Sequence, residues 1–121
     1  MDLPRRVDKP WGHELWYALT DRYAGKILHV EAGHRLSLQF HEHKDESSYL
    51  LSGRLKLVTG RNAEELTEVV VGPGHSWRNE PGQVHTVEAI ETSQILEVST
   101  PEVDDVIRLS DVYGREGTTS H

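Results

Sequence analysis

The chain contains no cysteine, which excludes a disulfide framework and a thiolate metal site. Any bound metal must be held by nitrogen and oxygen. Long apolar runs are also missing, and the opening Met1-Asp2-Leu3-Pro4-Arg5-Arg6 carries no apolar block of the kind a leader needs. The expectation is a cytoplasmic protein with no membrane partner. Basic runs stop at Arg5-Arg6, and 13 basic against 20 acidic side chains leave a formal charge of -7. That balance disfavours a phosphate-backbone partner, so no nucleic acid is expected. No segment keeps helical periodicity long enough for a long helix.

What is present is a rhythm of short apolar segments: Leu15-Trp16-Tyr17, Lys26 to Ala32, Leu36 to His43, Ser48 to Leu51, Leu55 to Thr59, Leu66 to Val71, Val84 to Ile90 and Ile95 to Val98. Ala32-Gly33, Ser52-Gly53, Gly60, Gly72-Pro73-Gly74 and Pro81-Gly82 punctuate them, which predicts an all-β sandwich or barrel. Pro101 with Glu102, Asp104 and Asp105 fits one helical turn or an extended loop. The 121 residues fit one domain over residues 1–121, with 116–121 a polar tail expected to fray.

Eight histidines are present, six of them between His29 and His85. In Leu36-Ser37-Leu38-Gln39-Phe40-His41-Glu42-His43, strand alternation places Gln39, His41 and His43 on one face. A polar face must point to solvent or into a cavity where water or a metal satisfies it. Both outcomes fit the alternation alone.

The spacing around that face is similar to the first cupin motif. Gly33 is followed after five residues by Gln39, after one more by His41, after four more by Glu46 and after six more by Gly53. Gln39 stands where the motif has its first histidine. The second motif is present in degraded form as Gly74, Glu80, Gly82, His85 and Ala89. The resemblance implies a small single-domain cupin, a jelly-roll-like β-barrel, holding one divalent metal ion through Gln39, His41, Glu46 and His85. A shell of this kind suits zinc first, with manganese, iron, cobalt or nickel as alternatives. His43 remains open as a fifth ligand, a substitute for Gln39 or a proton carrier.

Four segments carry a closer resemblance. They are Lys9-Pro10-Trp11-Gly12-His13-Glu14, the run from Leu36 to Glu46, Ile95-Leu96-Glu97-Val98 and the ending from Asp104 to Arg115. Together they resemble the C-terminal isomerase domain of type II mannose-6-phosphate isomerase / mannose-1-phosphate guanylyltransferase. Lys44 stands where that family usually has arginine. The resemblance implies a metal-dependent sugar-phosphate isomerase, interconverting mannose 6-phosphate and fructose 6-phosphate. The alternative is a non-catalytic metal-binding cupin that binds carbohydrate or a nucleotide sugar in polysaccharide metabolism.

Aldose–ketose isomerisation needs a base that moves a proton between adjacent carbons, and His43, Glu97 and Lys44 are the candidates in that order. Arg108, Arg115 and Lys44 are candidates for the substrate phosphate, guanidinium being preferred for bidentate contact with it. A salt-bridge network with Asp104, Asp105 and Asp111 is the structural alternative for those arginines. The expected partners are a small-molecule sugar phosphate and a second copy of the chain in a homodimer, because exposed strand edges on a small barrel call for cover.

Overall fold

In Ala24-Gly25-Lys26-Ile27-Leu28-His29-Val30, alternate side chains turn inward, and Ala24, Lys26, Leu28 and Val30 are all buried. The same period-two logic builds the rest of the computed structural model, which describes residues 2–116. Nine strands form: β1 Arg5–Lys9, β2 Gly12–Leu19, β3 Ala24–Val30, β4 Leu38–Phe40, β5 Glu46–Gly60, β6 Leu66–Val71, β7 Ser76–Asn79, β8 Val84–Ser99 and β9 Ile107–Ser110. There is no helix among the described residues, and so none long and apolar enough to cross a membrane.

All nine strands belong to one curled antiparallel sheet in the order β1-β2-β3-β8-β4-β9, with β5 also along β8 and β6 and β7 on the far side of β5. The long strand β8 is the spine. Its last seven residues lie between β3 and the start of β5, whereas its beginning lies between β4 and the end of β5. Both β5 and β8 bend midway. The register of β5 slips between Leu50 and Leu55, and Gly53 sits there at φ +96°. A Cβ on Gly53 would lie 2.3 Å from Ser93 Oγ and 2.5 Å from the Thr92 carbonyl, so the bend requires glycine twice over.

Several sequence expectations are corrected here. Ser52-Gly53 is a bulge within one strand, not a turn between two, because the ladder to β8 resumes on both sides of it. Val84 to Ile90 and Ile95 to Val98 likewise join through the polar residues Glu91, Thr92 and Ser93. The segment from Leu36 to His43 shrinks to a three-residue strand plus an isolated bridge from Arg35 to Glu88. No helical turn follows Thr100; short turns over Glu102 to Asp105 lead into β9. Of the tail expected to fray, only Glu116 falls within the described residues.

The inward row of each strand grades from apolar to polar. Trp11, Leu28, Val30, Leu50, Leu55, Leu57, Val71, Val87, Ala89 and Ile95 form the core cluster. Towards the other end the same rows present Lys26, Glu46, Ser48, His85 and Glu97, all buried. The barrel therefore has one sealed end and one end lined with ionisable groups.

Candidate metal centre

His41, Glu46 and His85 converge there, each offering a ligand atom within 4.8 Å of the others. They reach one another from β5, from β8 and from the turn after β4. Glu46 is the first residue of β5 and pairs with Ser99, whereas His85 pairs with Thr59 at the opposite end of the same ladder. The bend at Gly53 brings these ends together, so that Glu46 Oε1 lies 3.2 Å from His85 Nε2 and 3.3 Å from His41 Nε2.

Both imidazoles are oriented from behind. His41 Nδ1 donates to the Asp105 carbonyl and His85 Nδ1 to the Gln83 carbonyl at 3.0 Å. With Nδ1 carrying the proton, each Nε2 turns a lone pair toward the Glu46 carboxylate. Lone pair facing carboxylate is unfavourable in a buried space unless a cation lies between them. His85 Nε2 is buried and makes no hydrogen bond. The residues therefore fit a divalent ion held by two imidazoles and a carboxylate.

Gln39 stands directly opposite His85 in the β4–β8 pairing and lines the same cavity. Its Oε1 accepts a hydrogen bond from Ser37 Oγ at 2.8 Å. His43 is placed differently from expectation. The strand ends at Phe40, the chain turns, and the His43 side chain is 77% exposed, outside the cavity. The Asp105 carboxylate imposes that turn by accepting the amides of Glu42, His43 and Lys44 at 3.1, 2.7 and 2.9 Å.

Lys44 turns inward instead. Its Nζ lies 3.3 Å from Glu46 Oε2 and 3.5 Å from Glu97 Oε1, with all three side chains buried. Burial works against the ammonium, but the Glu97 and Glu46 carboxylates overcome it and raise the Lys44 pKa. Burial would likewise raise Glu46, yet the Lys44 ammonium beside it holds it well below the usual range. Glu97 goes the other way, pushed up to about 7 by burial and by the Glu46 carboxylate.

A second buried pair lies alongside: Lys26 Nζ is 3.3 Å from Glu14 Oε1 and 4.4 Å from the Trp16 ring centroid. Trp16 Nε1 donates to the same Glu14 oxygen at 2.8 Å. Arg108 and Arg115 line the outer part of the cavity with Lys9, Lys26 and Lys44. Arg115 is also paired to Asp111, with Nε 2.7 Å from Oδ2.

The sequence reading missed Asn79, whose Nδ2 donates to Glu46 Oε1 at 3.1 Å. It also missed Asp105, Lys9 and the Glu14–Lys26 pair. The last pair left a visible signal: a charge on the inward face of an otherwise apolar alternating strand.

The curled all-β architecture with a buried His/Glu cluster at its open end defines a cupin barrel. Residues 1–111 match the family described as mannose-6-phosphate isomerase C-terminal, and the chain belongs to that family. It is 31% identical over 116 residues to xanthan biosynthesis protein XanB of Xanthomonas campestris, covering 92% of this chain and 24% of that protein. Mannose-1-phosphate guanylyltransferase of Escherichia coli is 31% identical over 116 residues, with 92% and 23% covered. The chain thus spans about a quarter of the length of these relatives. Among solved structures, oxalate decarboxylase from Bacillus subtilis superposes with a TM-score of 0.74 at 15% identity, covering 88% of this chain and 30% of that one. KdgF from Halomonas sp. does so with a TM-score of 0.70 at 17% identity, covering 83% and 88%. At such identities these two likenesses speak to the fold alone.

Proposed function

We propose that the chain is a metal-dependent sugar-phosphate isomerase acting on mannose 6-phosphate and fructose 6-phosphate. One observation carries the reading: a His/His/Glu cluster, a buried carboxyl pushed up to about 7 and several basic side chains share one cavity end in an acidic protein. Family membership supports it, as do relatives whose names place them in mannose 1-phosphate chemistry and in xanthan biosynthesis.

In this reading His41, Glu46 and His85, with the Gln39 amide beside them, hold the ion, zinc being the one we expect first. The bound ion supplies Lewis-acid polarisation of the sugar carbonyl. Glu97 is the proton-moving group: as carboxylate it takes the proton from the second carbon and returns it to the first, while the O2 hydroxyl proton passes to O1 to complete the ketose. A carboxyl with a pKa near 7 suits both halves of that transfer at neutral pH. Lys44 stays protonated beside Glu97 and offsets charge developing on the sugar oxygens. Arg108 and Arg115 face the phosphate. His43, directed to solvent, has no part in the transfer.

The test is exchange of the C2 proton of mannose 6-phosphate with solvent by metal-loaded protein, followed by NMR in deuterium oxide. Exchange that Glu97→Gln removes supports the reading. A metallated protein that binds the sugar phosphate without exchanging a proton is instead the non-catalytic carbohydrate-binding cupin.

We also propose a twofold homodimer through the outer face of the sheet. Leu15, Ile27, Leu96 and Tyr49 are successive cross-strand partners on β2, β3, β8 and β5, forming one apolar row. Val98 and Leu51 flank it, 51% and 45% exposed. Both rims carry both signs, Arg6 with Asp8 on β1 and Arg78 with Asp45 and Glu80 beside β7.

A further inference from the structure

In the motif Lys9-Pro10-Trp11-Gly12, the tryptophan and the glycine have structural explanations that the lysine lacks. Trp11 is 3% exposed within the core cluster, and its carbonyl accepts the Glu31 amide at 2.9 Å. Gly12 has φ +148°, and a Cβ there would lie 1.9 Å from the His29 carbonyl oxygen, so only glycine lets β2 approach β3. The turn is thus anchored by a buried indole and a close backbone contact. What it presents, at the end of β1, is the Lys9 side chain, which lines the cavity with Lys26, Lys44, Arg108 and Arg115.

Lys26 is paired with Glu14, Lys44 with Glu46 and Glu97, and Arg115 with Asp111. Among the described residues no carboxylate makes an ion pair with Lys9. Burial lowers its pKa, and Lys26, Arg108 and Arg115 lower it further against the single opposing pull of Glu14. Arg108 is lowered as well, by burial and then by Arg115, against the opposing pull of Asp111 and Glu14. A folded chain with a net charge of -7 has acidic side chains in excess. It nevertheless brings five cations, Lys9, Lys26, Lys44, Arg108 and Arg115, to one cavity whose lining includes a single carboxylate, Glu14, an arrangement that favours an anionic ligand.

We propose that Lys9 is a specificity-determining residue of this cavity, completing with Arg108 and Arg115 an anion subsite for the phosphate monoester of the substrate. This rests on the sugar-phosphate reading of the site and names the group that selects phosphorylated over unphosphorylated sugar. Lys9 at the end of β1, Arg108 in β9 and Arg115 beyond it come from distant parts of the chain to line one cavity. Lysine suits the role as a point charge on a flexible stem, whereas the arginines offer planar forks. The ion cluster and the anion subsite then hold opposite ends of one ligand.

The test uses inorganic phosphate as the probe, so that it is read without turnover. Calorimetric titration of the metal-loaded protein is expected to show phosphate binding that weakens about tenfold in Lys9→Met and is retained in Lys9→Arg. Removing the charge also relieves repulsion, so phosphate-free Lys9→Met is expected to melt no lower than the parent. In turnover, Lys9→Met is expected to raise KM for mannose 6-phosphate with kcat kept, the mark of lost uniform binding. Undiminished phosphate affinity in Lys9→Met overturns the proposal, as does a parent protein that binds no phosphate, or a loss of kcat with KM unchanged. Phosphate binding through Lys9 without C2 proton exchange would sink the isomerase reading and leave the subsite standing.

Discussion

Lys44 Nζ stands between two buried carboxylates, 3.3 Å from Glu46 and 3.5 Å from Glu97. The ammonium lets Glu46 stay ionised next to a second acid that the same burial pushes up to about 7. Replacing it by Lys44→Met leaves Glu46 without its charge partner. Removing one member of a buried pair typically costs about 3–5 kcal/mol. Urea unfolding of the metal-free protein is expected to show a loss of that order for Lys44→Met. Lys44→Arg is expected to keep most of the stability. Equal midpoints for Lys44→Met and the parent would show that the two carboxylates do not depend on the ammonium.

The His/His/Glu cluster makes a second expectation. An ion that binds only the folded state adds stability by mass action. The melting temperature of protein purified with metal should therefore drop when a chelator is added and recover when zinc is restored. His41→Ala and His85→Ala should each abolish that response. A chelator-sensitive melt in both variants would place the ion elsewhere.

The elevated Glu97 pKa predicts a pH dependence with a definite sign. Between the ordinary carboxylate value of 4.5 and about 7, folded protein keeps a proton on Glu97 that the unfolded chain has released. Where the folded state binds more protons, stability falls as pH rises. The metal-free parent should lose stability across that window relative to Glu97→Gln, and the difference should level off above about 7. Parallel stability curves for the two proteins would contradict the shift.

Self-association is tested on the outer face, away from the cavity. Val98 is half exposed beside the Leu15–Ile27–Leu96–Tyr49 row. Val98→Glu places a charge against an apolar patch and should convert a dimer into a monomer in sedimentation equilibrium. It should leave the chelator response intact. A parent chain that sediments as a monomer at high concentration removes the dimer.

The cluster was legible because strand alternation and fixed spacing survive folding: His41, Glu46 and His85 occupy the motif positions and meet in space. His43 was misplaced because alternation holds only while the strand lasts, and the strand stops at Phe40. What ends it is Asp105, sixty residues away in sequence, and no local pattern announces such a contact. Strand β1 was invisible for a related reason: Arg5-Arg6-Val7-Asp8-Lys9 has too few apolar residues to show a buried face. Glycine at Ser52-Gly53 signals a backbone that needs its freedom without distinguishing a turn from a bulge. Lys9 drew no functional reading because its place beside Lys26, Lys44, Arg108 and Arg115 in one cavity joins segments far apart in sequence, which only a three-dimensional arrangement reveals.

The midpoint bend of β5 and β8 turns a two-stranded ribbon into a pair of tongs. Glu46 and Glu97 ride on one arm, His85 on the other, and Gly53 packed on Ser93 is the fulcrum. An ion gripped between the tips would clasp residues nearly forty positions apart in sequence. Prising the tips open would then strain the hinge and the core beneath it as well as the coordination shell. Tightness of ion binding is thereby tied mechanically to a glycine at the bend of the ribbon that carries no ligand atom of its own.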